Sequence, residues 1–479
     1  FVAYLKEYCR NCSMMGFAYI ANHNLHPTER LFWLICVLLS SMGVYHLTNM
    51  YRQEFNLRAV SIVYESISPF ESIKFPTVSV CEITFTHELN EDLEQLVKSL
   101  GTGVLDAYNF ELEQMLTKMM YPYQYTDGKL TSTCDAFDKC DKCAKCLPDG
   151  YRQLVEQYTS NCTEIFMQCK LSDREFDCCQ HFLPLYTPFG KCFLLNSLQN
   201  NQPNSPHWLP ALLDPSYQRA VMHLSTNRSV HVGLQNEEDL PHKWLPGVGA
   251  LVPNGQALYL RFNSELMAND ADMKEVSVES RACYMPEELQ SQSVYNAYSF
   301  SSCMSDCTRA YQLELCNCTP YFMNPIDETK TLDCDLAGLF CLESYGMLHP
   351  TMLKVQRFES LATPCECLPS CSEGDIISVY QEVKSSVQLS LQQLYNFINC
   401  CFHCSQGVES FTNLTLVMPN WPAGQYRRQV LRTTMDLVVS MGGILGLFLG
   451  ASILSLIEFI YYFSIRAFNS YLTRKRNEK

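Results

Sequence analysis

The stretch Leu437 to Ile465 reads LVVSMGGILGLFLGASILSLIEFIYYFSI. Its first 21 residues, Leu437 to Ile457, carry no charged side chain. At a helical rise of about 1.5 Å per residue, that length crosses the roughly 30 Å hydrocarbon core of a bilayer. The stretch therefore predicts a membrane-spanning helix near the C-terminal end of the sequence.

Small residues recur along this helix at a spacing that places them on one side. One stripe repeats every four positions and comprises Gly442, Gly446 and Gly450. A second stripe follows at i, i+4 and i+7 and comprises Ala451, Ser455 and Glu458. A carboxylate that faces lipid costs on the order of 2.5–3.5 kcal/mol, so Glu458 is expected to face a protein interior or a water-filled path.

Two interpretations fit these stripes. The glycines can form a helix-packing seam, with Glu458 close enough to the membrane surface to reach water. Alternatively, identical helices from several subunits surround a pore, and the backbone unwinds at Gly450 to Ser452. Exposed carbonyls and the Ser452 hydroxyl would then replace part of a cation's hydration shell, because irregular backbone is tolerated in a membrane where it lines a cavity.

The segment Gly446 to Ser455, GLFLGASILS, followed by Glu458, closely resembles the pore helix of the degenerin/epithelial sodium channel family. The resemblance implies a selectivity filter at Gly450, Ala451 and Ser452. It also implies four pore-lining positions, namely Gly442, Gly446, Ser455 and Glu458. The binding position of the blocker amiloride, just outside the filter, matches Gly446. Two flanking motifs look most like the insect pickpocket branch of the family, Tyr426-Arg427-Arg428 and Tyr461-Tyr462-Phe463.

Composition excludes several other classes of protein. The chain has 479 residues, of which 47% are hydrophobic and 18% charged, and a formal net charge of −15. A nucleic-acid partner is not expected, because phosphate contacts need a basic face. No HExxH, GxSxG or P-loop spacing occurs, so the sequence predicts neither an enzyme nor a cofactor, and Na⁺ enters only as the permeant ion.

Cysteines indicate where the middle of the chain resides. The sequence contains 26, and 23 of them fall between Cys81 and Cys404, which predicts a disulfide framework in an oxidising, extracellular compartment. The spacing of Cys134, Cys140, Cys143 and Cys146 also allows zinc, but disulfides are favoured and no metal site is expected. Four glycosylation sequons lie in the same span, at Asn161, Asn227, Asn317 and Asn413.

A second spanning helix is predicted at Leu31 to Tyr51, which contains no Asp, Glu, Lys or Arg. Two spans place both termini on one side, taken as cytosolic because the cysteines and sequons place the middle outside. In the family, a His-Gly pair before the first span folds back into the inner mouth of the pore and governs gating. The matching pair here is Met15-Gly16, so the histidine is replaced.

The resulting layout is a membrane protein in which two transmembrane helices flank a large, disulfide-rich α+β extracellular domain. Its parts are a cytosolic N-terminus (1–30), a first span (31–51), an extracellular domain (52–431), a pore span (432–465) and a cytosolic C-terminus (466–479). By resemblance, the extracellular domain has a β-sheet palm, a helical finger at about 85–230 and a thumb at about 298–372. Strands are predicted at 72–81, 256–262, 376–387 and 411–417, and two helices within 88–120.

The density of cysteines predicts that the thumb is a rigid rod, and the family resemblance implies that it transmits movement to the pore. Cys303 and Cys307 lie on one face of a predicted helix. The full set of thumb cysteines is Cys303, Cys307, Cys316, Cys318, Cys334, Cys341, Cys365, Cys367 and Cys371. Their spacing leaves the pairing open.

The family resemblance implies a voltage-independent, amiloride-sensitive, sodium-selective channel of the plasma membrane. Its gate would respond to an unidentified extracellular ligand or another stimulus. The subunit is expected to form a homotrimer, or a heterotrimer with related subunits. Two alternatives share the two-span topology: a scavenger-receptor-like protein that binds lipid, and an ATP-gated channel, for which no lysine-rich phosphate site is found.

Overall fold

The computed structural model describes residues 2–57, 60–66, 74–83, 117, 119–122, 150–210, 220–242, 247–289, 293–324, 332–348, 365–385, 411–419, 424–431, 434–466 and 468–469. The α-helices are α1 (Val2–Asn11), α2 (Phe17–Ala21), α3 (Pro27–Leu57), α4 (Tyr151–Tyr158), α5 (Cys162–Ile165), α6 (Cys178–His181), α7 (Val278–Arg281), α8 (Phe300–Cys316), α9 (Leu336–Tyr345), α10 (Thr434–Leu449) and α11 (Ile453–Tyr461). Short 3₁₀ helices lie at Ala271–Glu275 and Tyr321–Met323, and a π-helix lies at Tyr462–Arg466.

The strands are β1 (Val60–Ser66), β2 (Thr77–Glu82), β3 (Phe166–Leu171), β4 (Arg174–Phe176), β5 (Phe182–Thr187), β6 (Gly190–Leu195), β7 (Ala220–Thr226), β8 (Val230–Gln235), β9 (Val248–Val252), β10 (Gln256–Ser264), β11 (Leu266–Asn269), β12 (Ile376–Ser385), β13 (Thr412–Met418) and β14 (Gly424–Val430). They form three sheets, in the orders β1-β14-β11, β12-β10-β13-β7-β3-β4 and β5-β6-β2-β8-β9.

The described chain divides into two compact units. The first comprises Phe1–Val63, Asn269–Arg281 and Arg428–Lys479, and it holds the long apolar helices. The second comprises Tyr64–Ala268 and Ala282–Arg427, and it holds the two larger sheets and the described disulfides.

Helix α3 is the long apolar helix of the first unit. It begins at Pro27, whose fixed φ and missing N–H suit the first turn of a helix, and it contains the span predicted at Leu31 to Tyr51. Its segment Pro27–Gln53 is long and apolar enough to cross a membrane. The pair Met435–Leu449 and Ile453–Arg466 meets the same test only when both parts are taken together, and the two parts are bent by 74°.

The core of the second unit lies where the six-stranded and five-stranded sheets pack together. Apolar side chains from both sheets form one buried cluster that includes Val78, Phe182, Phe193, Met222 and Phe262. Burial of each such side chain stabilises the fold by about 1.5–3 kcal/mol. This cluster accounts for the alternating pattern of β10, in which every second side chain is buried.

Helices α8 and α9 form a second buried cluster in the same unit. Ser299 caps the N-terminus of α8. Its hydroxyl accepts from the Ser302 N–H, and the Ser302 hydroxyl accepts from the Ser299 N–H. The Arg152 guanidinium of α4 donates to both carboxylate oxygens of Asp333, at 2.6 and 2.9 Å. It also donates to the Tyr321 carbonyl, so α4 is anchored to the chain that precedes α9.

Two neighbouring disulfides join α8 to the extended segment at Cys365 to Cys367, and together they form a disulfide ladder. Cys303 pairs with Cys367 and Cys307 with Cys365. Four residues of helix advance about 6 Å, and two residues of extended chain advance about 6.6 Å, so the two spacings match. Three further bridges complete the predicted thumb set, Cys316–Cys341, Cys318–Cys334 and Cys283–Cys371.

The strand predictions at 256–262, 376–387 and 411–417 are confirmed by β10, β12 and β13, within the described residues. Of the strand predicted at 72–81, β2 covers the part from Thr77 onward, positions 74–76 are not strand, and positions 72–73 lie outside the described residues. The helices predicted at 88–120 lie outside the described residues except for the helical positions 117, 119 and 120. Cys134, Cys140, Cys143 and Cys146 also lie outside them.

Candidate functional site

The C-terminal apolar segment is interrupted at Gly450, Ala451 and Ser452, between α10 and α11. Gly450 has φ +61°, a left-handed conformation that glycine adopts without steric cost. Its N–H donates to the Gly446 carbonyl at 3.0 Å, which closes the last turn of α10. The interruption therefore sits where three consecutive residues lack bulk.

Ser452 starts the second half of the segment. Its hydroxyl accepts from the Ser455 N–H at 3.3 Å, and the Ser455 hydroxyl accepts from the Ser452 N–H at 3.1 Å. These two bonds satisfy N–H groups that an uncapped helix would leave unpaired. The polar residues of the break thus form the start of α11 as well as interrupting the helix.

One expectation about the stripes is wrong. Ala451, Ser455 and Glu458 were expected to share one stripe of a continuous helix, but Ala451 lies in the non-helical break. Only Ser455 and Glu458 are on the same helix, three residues apart. The two halves of the segment therefore have to be considered separately, because helical periodicity does not extend through an αL residue.

The glycine stripe of α10 is open within the described part of the chain. No other heavy atom lies within 4 Å of the point where a Cβ at Gly442 would be. At Gly446, a Cβ would meet only the Ala451 carbonyl oxygen, at 3.7 Å. This face of α10 is therefore available to another helix or to solvent.

The N-terminal segment contacts the break directly. The Met15 N–H donates to the Leu449 carbonyl at 3.1 Å, which satisfies one of the last carbonyls of α10. A Cβ on Gly450 would lie 3.2 Å from the Met15 Cγ. Gly16 has φ +89°, and a Cβ there would lie 2.6 Å from the Val37 side chain. Glycine is required at both Gly16 and Gly450 by conformation and by close packing.

Ser13 joins this segment to the second half of the break. Its backbone N–H and its hydroxyl both lie within hydrogen-bond distance of the Glu458 carboxylate, at 3.1 and 2.9 Å. The Ser13 hydroxyl is also 2.7 Å from the hydroxyl of Ser455, whose side chain is buried. Ser13, Ser455 and Glu458 form one hydrogen-bonded cluster, in which the carboxylate accepts from the N-terminal segment.

Helix α1 packs along α11 and the π-helix. The Tyr8 ring makes edge contacts with Phe459, Tyr462 and Phe463 at centroid distances of 5.5–5.6 Å. Arg466 forms an ion pair with Glu7 and lies over the Tyr462 ring. These contacts hold the N-terminal segment against the second half of the interrupted helix.

Helices α3 and α10 also contact each other. The Ser440 hydroxyl donates to the Tyr51 hydroxyl at 2.8 Å. A Cβ on Gly43 would lie 2.8 Å from the Phe448 ring, so glycine at this position of α3 makes room for that ring.

Sequence reasoning identified Met15, Gly16 and the break, and the structure brings them together. It missed Ser13, Glu7 and Tyr8, which contact α11 and the π-helix. Ser13 lies two residues before Met15, and its proximity to the Met15-Gly16 pair is the only signal in the sequence that could have identified it. No group of three or more His, Cys, Asp or Glu side chains suited to a metal occurs among the described residues.

The four sequon asparagines are exposed in the structure. Asn161 precedes α5, Asn227 follows β7, Asn317 caps the C-terminus of α8 with φ +56°, and Asn413 lies in β13. Asn413 accepts a hydrogen bond from the Ser225 hydroxyl at 2.8 Å, so its side chain amide is already engaged with the neighbouring strand.

Comparison with known proteins finds similarity to one family and to several of its named members. The sequence profile of a family described as amiloride-sensitive sodium channel matches residues 8–462. Sodium channel protein Nach of Drosophila ananassae is 23% identical over 483 residues, which cover 96% of this chain and 86% of that protein. Pickpocket protein 19 of Drosophila melanogaster is 22% identical over 496 residues, covering 91% and 86%. Acid-sensing ion channel 2 of Danio rerio is 22% identical over 342 residues, covering 66% and 57%.

Proposed function

The chain belongs to the amiloride-sensitive sodium channel family, whose members are ion channels and not enzymes, and we propose that it conducts Na⁺ through the interrupted C-terminal segment. In this proposal the chain is one subunit of a trimer. Each subunit contributes α10, the break and α11 to a common pore, and α3 is the outer membrane helix.

The observation that carries the proposal is the break at Gly450, Ala451 and Ser452 beside the Glu458 carboxylate. Irregular backbone in a membrane is tolerated only where it is buried in protein or lines a water-filled path. The open face of Gly442 and Gly446 gives neighbouring helices room to approach. Carbonyl groups of the break then coordinate a partly dehydrated Na⁺, and Glu458 makes the path below it electronegative.

The N-terminal segment is proposed to control the gate. Met15 and Ser13 hold Leu449 and Glu458, one on each side of the break. A shift of this segment would change the backbone of the filter and the potential at Glu458 together. Gating is proposed to be independent of voltage, since no row of regularly spaced basic residues occurs in either apolar segment.

Amiloride is proposed to bind just outside the filter, at Gly446. Both termini are proposed to be cytosolic and the disulfide-bonded unit extracellular, in the plasma membrane. The family match does not favour a two-span receptor for lipid, which would need neither the glycine stripe nor the membrane carboxylate. An extracellular stimulus is proposed to act through the disulfide-bonded helix pair α8–α9.

The test is whole-cell current recorded from cells that express the chain, alone and with related pickpocket subunits, in Na⁺ and in K⁺ solutions. We expect a Na⁺-selective current that amiloride reduces, and a loss of Na⁺ over K⁺ preference in Ser452→Leu. Ser41→Leu is the matched control, because it places the same bulk on α3, away from the break.

A conducting channel whose selectivity is the same in wild type and Ser452→Leu would refute the assignment of the filter. No current in any combination, with the protein present at the cell surface, would refute the channel proposal itself.

A further inference from the structure

Two thiols lie one helical turn apart where α1 ends. Cys9 and Cys12 are both free cysteines, in the sequence Cys9-Arg10-Asn11-Cys12. The Cys12 N–H donates to the Tyr8 carbonyl at 2.8 Å, so Cys12 is still held by the last turn. Cα atoms three residues apart in a helix are about 5 Å apart, within the range that a disulfide bridges.

The Cys12 thiol lies against the backbone carbonyl groups at the end of α1. Its Sγ lies 3.7 Å from the Cys9 carbonyl oxygen and 3.9 Å from that of Met14. Cys12 is buried and Cys9 partly buried. Closure of a bridge therefore requires the Cys12 thiol to leave these carbonyl groups and turn toward the Cys9 thiol.

We propose that Cys9 and Cys12 form a reversible disulfide that withdraws Ser13 from Glu458 and lowers channel current. Cys12 is joined directly to Ser13, so a movement of Cys12 toward Cys9 displaces both donors of Ser13 from the carboxylate. It also breaks the contact of the Cys12 thiol with Met14, next to the Met15 N–H that holds Leu449. The effect on current rests on the proposed function, whereas formation of the bridge does not.

The oxidant is a small disulfide such as oxidised glutathione. The Cys9 thiol, the more accessible of the two, loses its proton and attacks one sulfur of that disulfide, which releases one small thiol. The Cys12 thiol then loses its proton and attacks the Cys9 sulfur, which releases the second small thiol. The protein loses two protons and two electrons, and the small disulfide takes them up as it is reduced to two thiols.

Burial slows the oxidation of this pair. Burial raises the pKa of the Cys9 and Cys12 thiols, which lowers the fraction of reactive thiolate at neutral pH. The bridge should therefore form faster as pH rises. A pair that lies next to Ser13 and exchanges slowly with small disulfides would respond to a sustained change in cytosolic redox state.

Trypsin provides a direct test, because it cuts after Lys6, Arg10 and Arg30 and so separates the two cysteines. The full-length chain is treated with oxidised glutathione, its remaining thiols are alkylated, and it is digested and analysed by mass spectrometry. We expect fragments 7–10 and 11–30 to remain joined until dithiothreitol is added. Cys12→Ser should abolish the link, and Cys36→Ser, at the third described free cysteine, should retain it.

Current is measured in parallel in inside-out patches exposed to oxidised glutathione on the cytosolic face. We expect at least a twofold fall in the wild type and in Cys36→Ser, reversed by dithiothreitol, and no fall in Cys12→Ser. Separate fragments after oxidation, or joined fragments with unchanged current, would overturn the proposal. A chain that conducts in no condition fails as a channel, and the fragment analysis then still decides whether the bridge forms.

Discussion

The Ser13 hydroxyl lies 2.9 Å from the Oε2 atom of Glu458, although 445 positions separate the two residues in the chain. The Ser13 backbone N–H contacts the same oxygen at 3.1 Å. An N-terminal segment thus supplies two donors to the carboxylate that would otherwise make the apolar segment costly to bury.

Ser13→Ala should weaken the docking of the N-terminal segment. The change removes the hydroxyl bonds to Glu458 and Ser455 and leaves the backbone N–H in place. A single hydrogen bond of this kind contributes about 1 kcal/mol, or about fivefold in the equilibrium between docked and undocked states. We expect open probability in single-channel recordings to fall severalfold. Ser464→Ala is the control, because its hydroxyl donates to the Ile460 carbonyl in the preceding turn of α11. Equal open probabilities in the two variants would contradict the assignment.

Gly450→Ala should disturb the backbone conformation of the break between α10 and α11 for two reasons. An alanine at φ +61° costs about 1–2 kcal/mol, and its Cβ would press on Met15 at 3.2 Å. We expect a loss of most of the current at equal surface expression. Gly442→Ala adds the same methyl group where no described atom lies within 4 Å of it, so it should fold normally. The double variant Gly450→Ala, Met15→Ala should recover only part of the loss, because the backbone strain remains. Full recovery would show that backbone strain contributes nothing.

Glu238→Gln should flatten the dependence of stability on pH. Burial, and then the neighbouring Asp239, raise the pKa of the Glu238 carboxyl from 4.5 to about 8. The folded state therefore holds a proton that the unfolded state releases between these two pH values. The stabilisation that this proton contributes to the folded state is complete below pH 4.5 and is lost as pH rises toward 8. We expect the thermal unfolding midpoint of the wild type to fall more steeply over this range than that of Glu238→Gln.

The matched control for that experiment is Glu237→Gln, at a more exposed carboxylate that pairs with Lys74. His231 and His242 titrate in the opposite sense, because burial lowers their pKa to about 4. Both histidines are unchanged in the two variants, so their contribution cancels. Because the charge of Glu237 adds to the raised pKa of Glu238, Glu237→Gln should lessen the slope slightly and Glu238→Gln should lessen it most. Identical slopes for wild type and Glu238→Gln would contradict the assignment.

The disulfide ladder of α8 should be cooperative. The bridges Cys303–Cys367 and Cys307–Cys365 close loops of similar length, with sequence separations of 64 and 58. With one bridge intact, the second closes only a short additional loop, so its loss should cost about 2 kcal/mol. Loss of both opens the long loop and should cost about 6 kcal/mol in total. The test replaces the two cysteines of one bridge by serine, then those of the other bridge, and then all four. The loss of stability in each variant is measured by thermal unfolding. If the stability losses of the two single-bridge variants add up to that of the variant without both bridges, the two bridges are not cooperative.

Much of the local structure of this protein can be predicted from short-range patterns in the sequence. Two uncharged stretches predicted apolar helices, because a helix needs a fixed length to cross a bilayer. The run Gly450-Ala451-Ser452 marked the break, because a helix is least well supported where side chains are smallest. Alternation in Gln256 to Phe262 marked a half-buried strand. Each of these patterns acts within a few residues of the chain.

The pairing of the cysteines could not be obtained in this way. Cys303 and Cys307 were placed on one helical face, yet their partners lie 64 and 58 positions away. Only the folded chain reveals that an extended segment at Cys365 to Cys367 runs alongside α8 with a matching spacing. In the same way, helical periodicity puts Ala451 on one stripe with Ser455 and Glu458, but Ala451 lies in the break between α10 and α11. Periodicity assumes that a helix continues.

The amino-acid sequence alone determined the class of the protein: two apolar segments, a cysteine-rich region between them, and a filter-like run of small residues before an acid. Tertiary structure alone decided that Ser13 meets Glu458, that Met15 holds Leu449 and lies against Gly450, and which thiols pair. The reason is physical. Helical and strand periodicities are set by neighbouring residues, whereas the donor that reaches a distant carboxylate is selected by packing of the whole chain.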